Sequence, residues 1–292
     1  MPLVILSAHI IGDAEHICGA SDALVPWWSY GKTILAAAAF KLAEQGRLPL
    51  DTPLEGEPFT LRQLLAHTAG VRNYGPLADY HAAVARGDDA WPAAEMLARA
   101  NAGELLFAPG TGWSYSNIGY YYVRREIERA VDAELGSALH ATIFAPLGLH
   151  AGMTRQRDDM QRLAWPNLRS YDPNWVYHGL IVGTPADAAR LLHRLFTTAF
   201  LSEFSRTAMF QSIPLPFVLQ GRPFGKPTPG TGLMIDPAGP HGMWYGHSGG
   251  GPGSASAVYR FPDIDPPRTV AAFADSDDDA ALERHVLALA RS

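Results

Sequence analysis

The chain has 292 residues, of which 47% are hydrophobic and 18% are charged, and its formal net charge is -6 at pH 7. This composition is typical of a folded globular protein and argues against extended disorder. It also argues against a nucleic-acid partner, because phosphate binding needs a concentrated basic face.

Cys18 is the single cysteine, so no disulfide bond can form within the chain. We expect it to be a small core or strand residue rather than a nucleophile. Residues 1–7 are apolar but carry no basic leader, and no run approaches the ~18–20 apolar residues of a membrane span. The sequence therefore predicts a cytoplasmic protein without a membrane partner.

The first predicted elements are two strands and a long helix. Residues 3–9 and 14–20 have the pattern of short strands joined by a turn. A strong helix is predicted from Ser29 to about Gln45, because its interior is rich in alanine and Gly46 stands where a left-handed cap is favoured.

Helices and loops are predicted from residue 51 to about residue 170. Thr60 is suited to cap a short helix, and Pro92 fits the first turn of a second one. A longer helix is predicted from Asn117 to about Val131, and Pro185 opens another beyond this region.

Strand signals return after a proline-rich stretch at 214–229. The predicted strands cover 231–236, 243–248, 254–260 and 268–274. Acidic residues at 277–279 then mark the start of a last helix, where the helix dipole favours negative charge.

Strands at both ends of the chain and helices between them predict an α+β fold. We expect an antiparallel sheet, flanked by helices and built from both chain ends, with an inserted helical lobe. Residues 1–50 and 175–292 are expected to form an α/β lobe and residues 51–174 the helical lobe. Ligand pockets commonly lie between such lobes.

Ser29 and Lys32 form a Ser-x-x-Lys motif at the start of the first predicted helix. Residues i and i+3 share one helix face, so the hydroxyl and the amine can meet. Burial lowers the pKa of a lysine towards neutrality and allows it to act as a base. Taken alone, the motif fits a capping serine and a solvated lysine at least as well.

Tyr115 and Asn117 form a second motif, Tyr-x-Asn, after a turn rich in glycine. There the phenol can shuttle a proton, and the amide can orient the lysine or a substrate carbonyl. The alternative is an ordinary helix start, with the tyrosine in the core and the asparagine as its cap.

His247, Ser248 and Gly249 form a third motif at the end of a strand-like run, and Gly250 follows it. A glycine-rich strand edge lets a substrate approach the backbone closely. The backbone N–H of Gly250 can then complete an oxyanion hole. A His-x-Gly motif by itself is common.

Together, these motifs resemble those of the serine β-lactamase and penicillin-binding-protein superfamily, in the same order. The Tyr-x-Asn form is similar to the branch of class C β-lactamases, D,D-peptidases and family VIII esterases. Other phrases that fit are Leu64-Leu65-Ala66-His67-Thr68-Ala69-Gly70, Phe107-Ala108-Pro109-Gly110, Pro146-Leu147-Gly148-Leu149 and Gly183-Thr184-Pro185-Ala186-Asp187. The resemblance spans nearly the whole chain and implies a β-lactamase-like fold.

The resemblance implies serine hydrolysis of a small-molecule acyl substrate through an acyl-enzyme. Ser29 would attack the acyl carbonyl, and Lys32 with Tyr115 would handle its proton. The N–H groups of Ser29 and Gly250 would hold the oxyanion, and water would then clear the acyl-enzyme. No cofactor is implied.

The remaining implied site residues are on the substrate side. Asn117 would position Lys32 and the substrate, and His247 and Gly249 would line the pocket. Where β-lactamases usually carry Lys-Thr-Gly, this chain has His-Ser-Gly. A histidine is mostly neutral at pH 7, so this change favours ester or amide substrates over those with a free carboxylate. A carboxylesterase is preferred; a β-lactamase, a D,D-peptidase and a D-amino-acid amidase stay open.

Two further interpretations are open. Residues 246–250 match Gly-x-Ser-x-Gly, which would make Ser248 the nucleophile of an α/β-hydrolase, but the sequence after it predicts turn and strand rather than helix. A non-catalytic binding protein on the same scaffold would usually have lost one of the motif residues, which are intact here. No metal site is expected from the histidine spacing, and His67 and His178 are expected to be structural or pocket-lining.

Overall fold

The computed structural model describes residues 3–19, 22–212, 222–224, 227–239 and 241–292. Its strands are β1 (Ile5–Ile11), β2 (His16–Cys18), β3 (Val25–Pro26), β4 (Gly152–Thr154), β5 (Leu180–Gly183), β6 (Thr228–Pro229), β7 (Met234–Gly239), β8 (Gly242–Gly251), β9 (Ser254–Phe261) and β10 (Arg268–Ala274). Its α-helices are α1 (Gly31–Glu44), α2 (Leu61–Leu65), α3 (Ala78–Arg86), α4 (Ala93–Arg99), α5 (Asn117–Val131), α6 (Leu135–Leu139), α7 (Pro185–Thr197), α8 (Glu203–Met209) and α9 (Asp279–Arg291). Short 3-10 or π-helical turns are Trp28–Tyr30, His140–Phe144, Arg157–Arg162, Pro166–Leu168 and Pro173–Trp175.

An antiparallel sheet with the order β2-β1-β10-β9-β8-β7-β6 joins the two ends of the described chain. Successive side chains of a strand point to opposite faces. Accordingly, Ala271 and Phe273 of β10 belong to the apolar core that includes α7, whereas Val270 and Ala272 belong to the core that includes α9. Helices therefore cover both faces, and every residue of β9 and β10 is buried.

Helix α1 is buried along most of its length, as expected for a helix that is apolar on all sides. The run Ala36 to Ala39 is fully buried, because these small side chains let neighbouring elements such as α5 approach closely. The predicted helix start at Ser29 is corrected: Ser29 lies in a 3-10 turn, and α1 begins at Gly31. Gly46 has the predicted left-handed φ, 71°, beyond the end of the helix.

The predicted α+β class with a sheet built from both chain ends is confirmed. Helix α5 has the predicted bounds, and Thr60 caps α2 through a reciprocal pair of hydrogen bonds with Gln63. Residues 51–174 contain α2 to α6 and strand β4. The division of the chain into two lobes at the predicted boundaries stays a prediction.

Some predicted strand limits are wrong. Strands β1 and β2 lie inward of the predicted starts, because the pairing of β1 is set by its register with β10, from Ile5 opposite Ala274 to Ile11 opposite Arg268. Strand β7 begins at Met234 rather than at residue 231, after a turn in which Gly232 has a φ of 72°. The proline-rich stretch at 214–229 lies largely outside the described residues. In the part of the chain that is described, no helix is long and apolar enough to cross a bilayer.

We expect Gly183→Ala to lower the free energy of unfolding by about 1–3 kcal/mol, which is the usual cost of overpacking a core. A Cβ atom at Gly183 would lie 2.6 Å from Cζ2 of Trp27, whose side chain is fully buried. Urea denaturation measures the change. Gly152→Ala is the matched control, since Gly152 is in the same small sheet with no atom within 4 Å of its Cβ position. A change within about 0.5 kcal/mol is expected there; equal losses in both variants would contradict the packing argument.

Candidate active site

Ser29 lies in the 3-10 turn between β3 and α1. The residue before it, Trp28, has a φ of 44°, a left-handed conformation that is rare for a bulky side chain and is typical of functional sites. Two contacts hold it there. Its indole N–H donates to Oγ of Ser254 at 2.9 Å, and its ring packs edge-on against Tyr171 with centroids 5.7 Å apart.

Lys32 lies on the first turn of α1 and is completely buried. Its Nζ atom lies 3.1 Å from Oγ of Ser29, 2.8 Å from Oδ1 of Asn117 and 3.3 Å from Nε2 of His178. The predicted meeting of the serine hydroxyl and the lysine amine is present. The alternative of a solvated lysine on an ordinary helix is wrong.

Desolvation disfavours a positive charge on Lys32, and no carboxylate within the described ranges forms an ion pair with it. The rings of Tyr115 and Tyr120 lie 5.0 and 5.5 Å from Nζ and offset only part of this cost. Burial lowers the pKa of Lys32 well below the ordinary lysine value of 10.5. The amine is therefore suited to accept a proton rather than to anchor an anion.

Tyr115 brings its hydroxyl to the other side of the serine. The phenol O–H donates to Oγ of Ser29 at 2.9 Å. Burial raises the pKa of Tyr115 well above 10, although the hydrogen bond to Ser29 opposes this shift. The phenol is consequently protonated at neutral pH and is a donor.

His67 packs against the Tyr-x-Asn segment and accepts a hydrogen bond from it. Its ring lies 4.4 Å from the ring of Tyr115, centroid to centroid, and its Nδ1 atom accepts the backbone N–H of Ser116 at 3.1 Å. Burial and the nearby Lys32 lower the pKa of His67 well below 6.5, so its ring is neutral. His67 is thus structural and pocket-lining, as predicted.

Asn117 is the first residue of α5, but it does not cap the helix. The hydroxyl of Ser116 does so by accepting the N–H of Gly119 at 2.9 Å. The backbone N–H of Asn117 donates to Oδ1 of Asn73 at 3.2 Å. Because Ser116 caps the helix, the side chain of Asn117 can reach Lys32. The capping alternative for Asn117 is therefore wrong.

The third motif lies on the part of strand β8 that extends beyond its pairing with β7. Its pairing with β7 ends at Gly246, whereas its pairing with β9 continues to Gly251, so one edge of the intervening residues faces Ser29. Gly249 approaches so closely that a Cβ atom there would lie 2.4 Å from the Ser29 nitrogen. Gly250 lines the same pocket as Ser29. The oxyanion role of the Gly250 N–H stays a prediction.

His247 is buried beside this edge and is uncharged. Burial, with a smaller contribution from the charge of Lys32, lowers its pKa to about 3. Its Nδ1–H donates to the carbonyl oxygen of Ser248, which leaves Nε2 as a hydrogen-bond acceptor. A neutral ring with a free lone pair has no attraction for a carboxylate.

Two pockets lie beside the hydrogen bond between Tyr115 and Ser29. The first, called the aromatic pocket, is lined by Trp28, Ser29, Tyr74, Tyr80, Asn117, Tyr171, Val176, His178, Gly250 and Gly251. The second, called the apolar cavity, is lined by His67, Trp113, Tyr115, Pro227, Pro229, Gly230, Gly232, Leu233, Met234 and His247. Ser29 lines the aromatic pocket, whereas Tyr115, whose hydroxyl donates to Oγ of Ser29, lines the apolar cavity, so this hydrogen bond lies between the two pockets.

Ser248 lacks the surroundings of a nucleophile elbow. Strand β8 continues past it and turns into β9, so no helix follows the serine. Its hydroxyl lies 3.4 Å from Nη2 of Arg222, and His285 contacts Ser7 instead. The interpretation of Ser248 as the nucleophile is wrong.

His178 is the site residue whose contact with the lysine the sequence did not reveal. No fixed sequence spacing links His178 to any of the motifs. It lies in the segment before β5 and reaches Lys32 only in the folded chain. A group of three or more histidine, cysteine or carboxylate side chains placed to bind a metal is not found among the residues that the structure describes.

A family model described as Beta-lactamase matches residues 19–291. The chain belongs to the beta-lactamase family. It is 25% identical to penicillin-binding protein 4* of Bacillus subtilis (strain 168), in a match that covers 89% of this chain and 62% of that protein. It is 31% identical to esterase EstB of Burkholderia gladioli over 44% of this chain and 38% of that protein. These matches span less than two thirds of the length of either relative.

Two solved structures share the fold of this chain. A D-stereospecific amidohydrolase from Streptomyces sp. superposes with a TM-score of 0.81 at 23% identity and covers 99% of this chain and 93% of its own. The D-amino acid amidase from Ochrobactrum anthropi SV3 gives a TM-score of 0.78 at 22% identity, over 94% and 89% of the two chains. The α+β architecture is thus that of β-lactamase-like proteins.

The buried amine of Lys32 should leave a signature in the pH dependence of stability. Because its folded-state pKa is lowered, the unfolded chain binds more protons between that value and 10.5, and the folded state gains stability as the pH rises through this window. We expect wild type to gain stability relative to Lys32→Met as the pH approaches 10.5. Urea denaturation at a series of pH values measures this difference; a difference that stays constant or moves the other way would contradict it.

Proposed function

We propose that this protein is a serine hydrolase that cleaves small acyl esters through an acyl-enzyme on Ser29. The supporting observation is that the Ser29 hydroxyl lies 3.1 Å from a buried amine and accepts a hydrogen bond of 2.9 Å from a phenol. A nucleophile between a base and an acid is the arrangement that covalent acyl transfer needs.

In the acylation step, Lys32 is the base and Tyr115 the acid. The Ser29 oxygen forms a bond to the acyl carbon, and its proton moves to the lone pair of the Lys32 amine. The tetrahedral intermediate then collapses as the bond to the leaving oxygen breaks. Tyr115 gives its proton to that oxygen and regains one from the Lys32 ammonium. The low pKa of the amine and the high pKa of the phenol support this assignment over the reverse.

The oxyanion is held by two backbone donors, the N–H groups of Ser29 and Gly250. Such a donor contributes roughly 3 kcal/mol of transition-state stabilisation. The close approach of Gly249 to the Ser29 nitrogen supports this pairing, because it brings the edge of β8 against the nucleophile. In the second half of the reaction, water attacks the acyl carbon and gives a proton to the same amine. The bond between the acyl carbon and Oγ of Ser29 then breaks, Oγ regains a proton from the Lys32 ammonium, and the acid is released.

The preference for esters over carboxylate-bearing lactams follows from His247 and from the apolar cavity beside it. The leaving group lies on the side of Tyr115, which donates its proton, and therefore in the apolar cavity. The described lining of that cavity contains no lysine or arginine, and His247 is neutral with a free acceptor. A substrate carboxylate would lose its hydration there without gaining a cationic partner from the described lining.

An amidase acting on D-amino-acid amides is the second candidate. The aromatic pocket beside Ser29 has walls from Tyr74, Tyr80 and Tyr171, which suit an aromatic acyl group. No aspartate or glutamate is among the described residues that line it. Asp277 lines an adjoining cavity that shares Tyr80, Asn117, Tyr171, Gly250 and Gly251 with this pocket. The carboxylate available to an acyl ammonium therefore lies outside the lining of the aromatic pocket itself, and the ester is ranked first.

We expect the wild type to hydrolyse p-nitrophenyl acetate and butyrate much faster than nitrocefin. Ser29→Ala should reduce ester turnover by at least about 10³-fold, since the acyl-enzyme cannot form. Ser248→Ala is the matched control, a serine on strand β8 outside the described lining of both pockets, and should retain turnover. Intact-protein mass spectrometry after a fluorophosphonate probe should show the adduct on Ser29.

Each other outcome identifies a different function. Turnover of D-phenylalanine amide in preference to the esters would favour the amidase, and preference for nitrocefin would favour a β-lactamase. A Ser29 adduct without turnover of any of these substrates would indicate a binding protein. Activity that survives in Ser29→Ala would refute the mechanism.

We expect a carboxylate on the leaving group to lower kcat/KM. 4-(Butyryloxy)benzamide and 4-(butyryloxy)benzoate carry para groups of similar size that differ in charge, and the charged ester should react about tenfold more slowly or worse, because its carboxylate is desolvated without a partner. His247→Lys should narrow the gap by supplying a cation, while the neutral variant His247→Gln should not. Equal rates for both esters in the wild type would contradict the argument from the apolar cavity.

A further inference from the structure

The proton that leaves Ser29 must reside on a buried amine that has no counter-ion among the described residues. The neutral amine of Lys32 has two N–H donors and one lone pair, whereas the ammonium has three donors and no lone pair. Three polar atoms surround Nζ, namely Oγ of Ser29 at 3.1 Å, Oδ1 of Asn117 at 2.8 Å and Nε2 of His178 at 3.3 Å. Three partners match the three protons of the ammonium.

The match requires His178 to be an acceptor. Its ring is buried, and burial together with the charge of Lys32 lowers its pKa well below 6.5, so one ring nitrogen carries the single proton. When Lys32 is protonated, it has no lone pair to receive an N–H, so Nε2 of His178 must accept. The proton of His178 is then on Nδ1, a buried atom with no hydrogen-bond partner among the described protein groups.

We propose that His178 is a positioning residue for the acylation step, which accepts a hydrogen bond from Lys32 and stabilises the buried ammonium that forms when Ser29 loses its proton. This role rests on the proposed function of Ser29 and Lys32. In the resting state the same contact fixes one N–H of the amine. Together with Asn117, it directs the remaining lone pair of Lys32 at the Ser29 hydroxyl.

The backbone ties His178 to the nucleophile. His178 is followed by Gly179, whose φ of 100° turns the chain into β5 and whose Cβ position is 2.8 Å from Cδ2 of Leu135. Strand β5 pairs with β3, and the N–H of Trp27 donates to the carbonyl of Ile181 at 2.8 Å. The imidazole and the serine turn are thus held by neighbouring strands of one small sheet, which keeps the Nε2 to Nζ distance short.

Most of the titratable groups around Lys32 and His178 are neutral. His67 and His247 are uncharged for the same reason as His178, and the tyrosines are protonated. Arg124 is the exception, and its charge disfavours a cationic His178. The titratable or charged groups that face the pair are Tyr115, Tyr120, His67, His247 and Arg124, which is paired with Glu128.

Two substitutions of similar size separate an acceptor from a space-filler. In His178→Gln, Oε1 can take the place of Nε2 as acceptor, whereas His178→Met has no comparable acceptor. We expect His178→Met to slow the acylation of Ser29 by a fluorophosphonate and by p-nitrophenyl butyrate roughly 10- to 100-fold, the range for a lost hydrogen bond to a charged group. His178→Gln should stay within about threefold of wild type, because the ammonium keeps three acceptors.

The pH profile distinguishes this role from a merely structural one. The acid limb of kcat/KM reports the pKa of the free base. With one acceptor lost, the protonated form of Lys32 is less stable and its pKa falls. The acid limb of His178→Met should therefore move to lower pH by about one unit or more, while that of His178→Gln stays near the wild type. A limb that moves to higher pH, or equal acylation rates in the two variants, would overturn the role of His178.

The tautomer of His178 can be measured in the wild-type protein, with a variant used only to assign the resonances. In protein labelled with ¹⁵N-histidine, the His178 resonances, assigned by their loss in His178→Gln, should show a protonated Nδ1 and an unprotonated Nε2. The opposite tautomer would overturn the role. Failure of the proposed function has a different result, since the wild type itself would then show no acylation of Ser29.

Discussion

The site depends on one buried amine, that of Lys32, for which the described part of the chain provides no acidic partner. A lysine in such a place would be costly to protonate, and the surrounding polar atoms provide hydrogen bonds rather than charge. Asn117, His178 and Ser29 converge on it from three separate parts of the fold. The Nζ atom of Lys32 therefore constrains helix α1, the start of α5 and the segment before β5.

Much of the fold could be predicted from the sequence, because its signals are local. The alanine-rich interior of α1 and the bounds of α5 follow from helix propensity and capping. The alternation that places Val270 on one core and Phe273 on the other is equally local. Strand limits were less predictable. The start of β1 depends on its register with β10, more than 250 residues further along the chain.

The candidate site likewise has features that could be predicted from the sequence and features that could not. The contact between Ser29 and Lys32 is a matter of helical spacing and was predicted from it. The role of Ser116 as the cap of α5, which frees Asn117, depends on which of two suitable neighbours takes the cap. The place of His178 depends wholly on tertiary structure, since no spacing links it to the lysine, and sequence gave it only a generic structural or pocket-lining role.

The unusual backbone at Trp28 links catalysis to the order in which the chain becomes structured. Its left-handed conformation is held by Ser254 of β9, and Gly249 of β8 closes on the turn from the same side. Both strands emerge from the ribosome more than 200 residues after the serine. A nascent chain that already contains the first two motifs therefore lacks the contacts that orient the nucleophile. The turn that holds Ser29 can be completed only after β8 and β9 have been made, so its geometry is set late in synthesis.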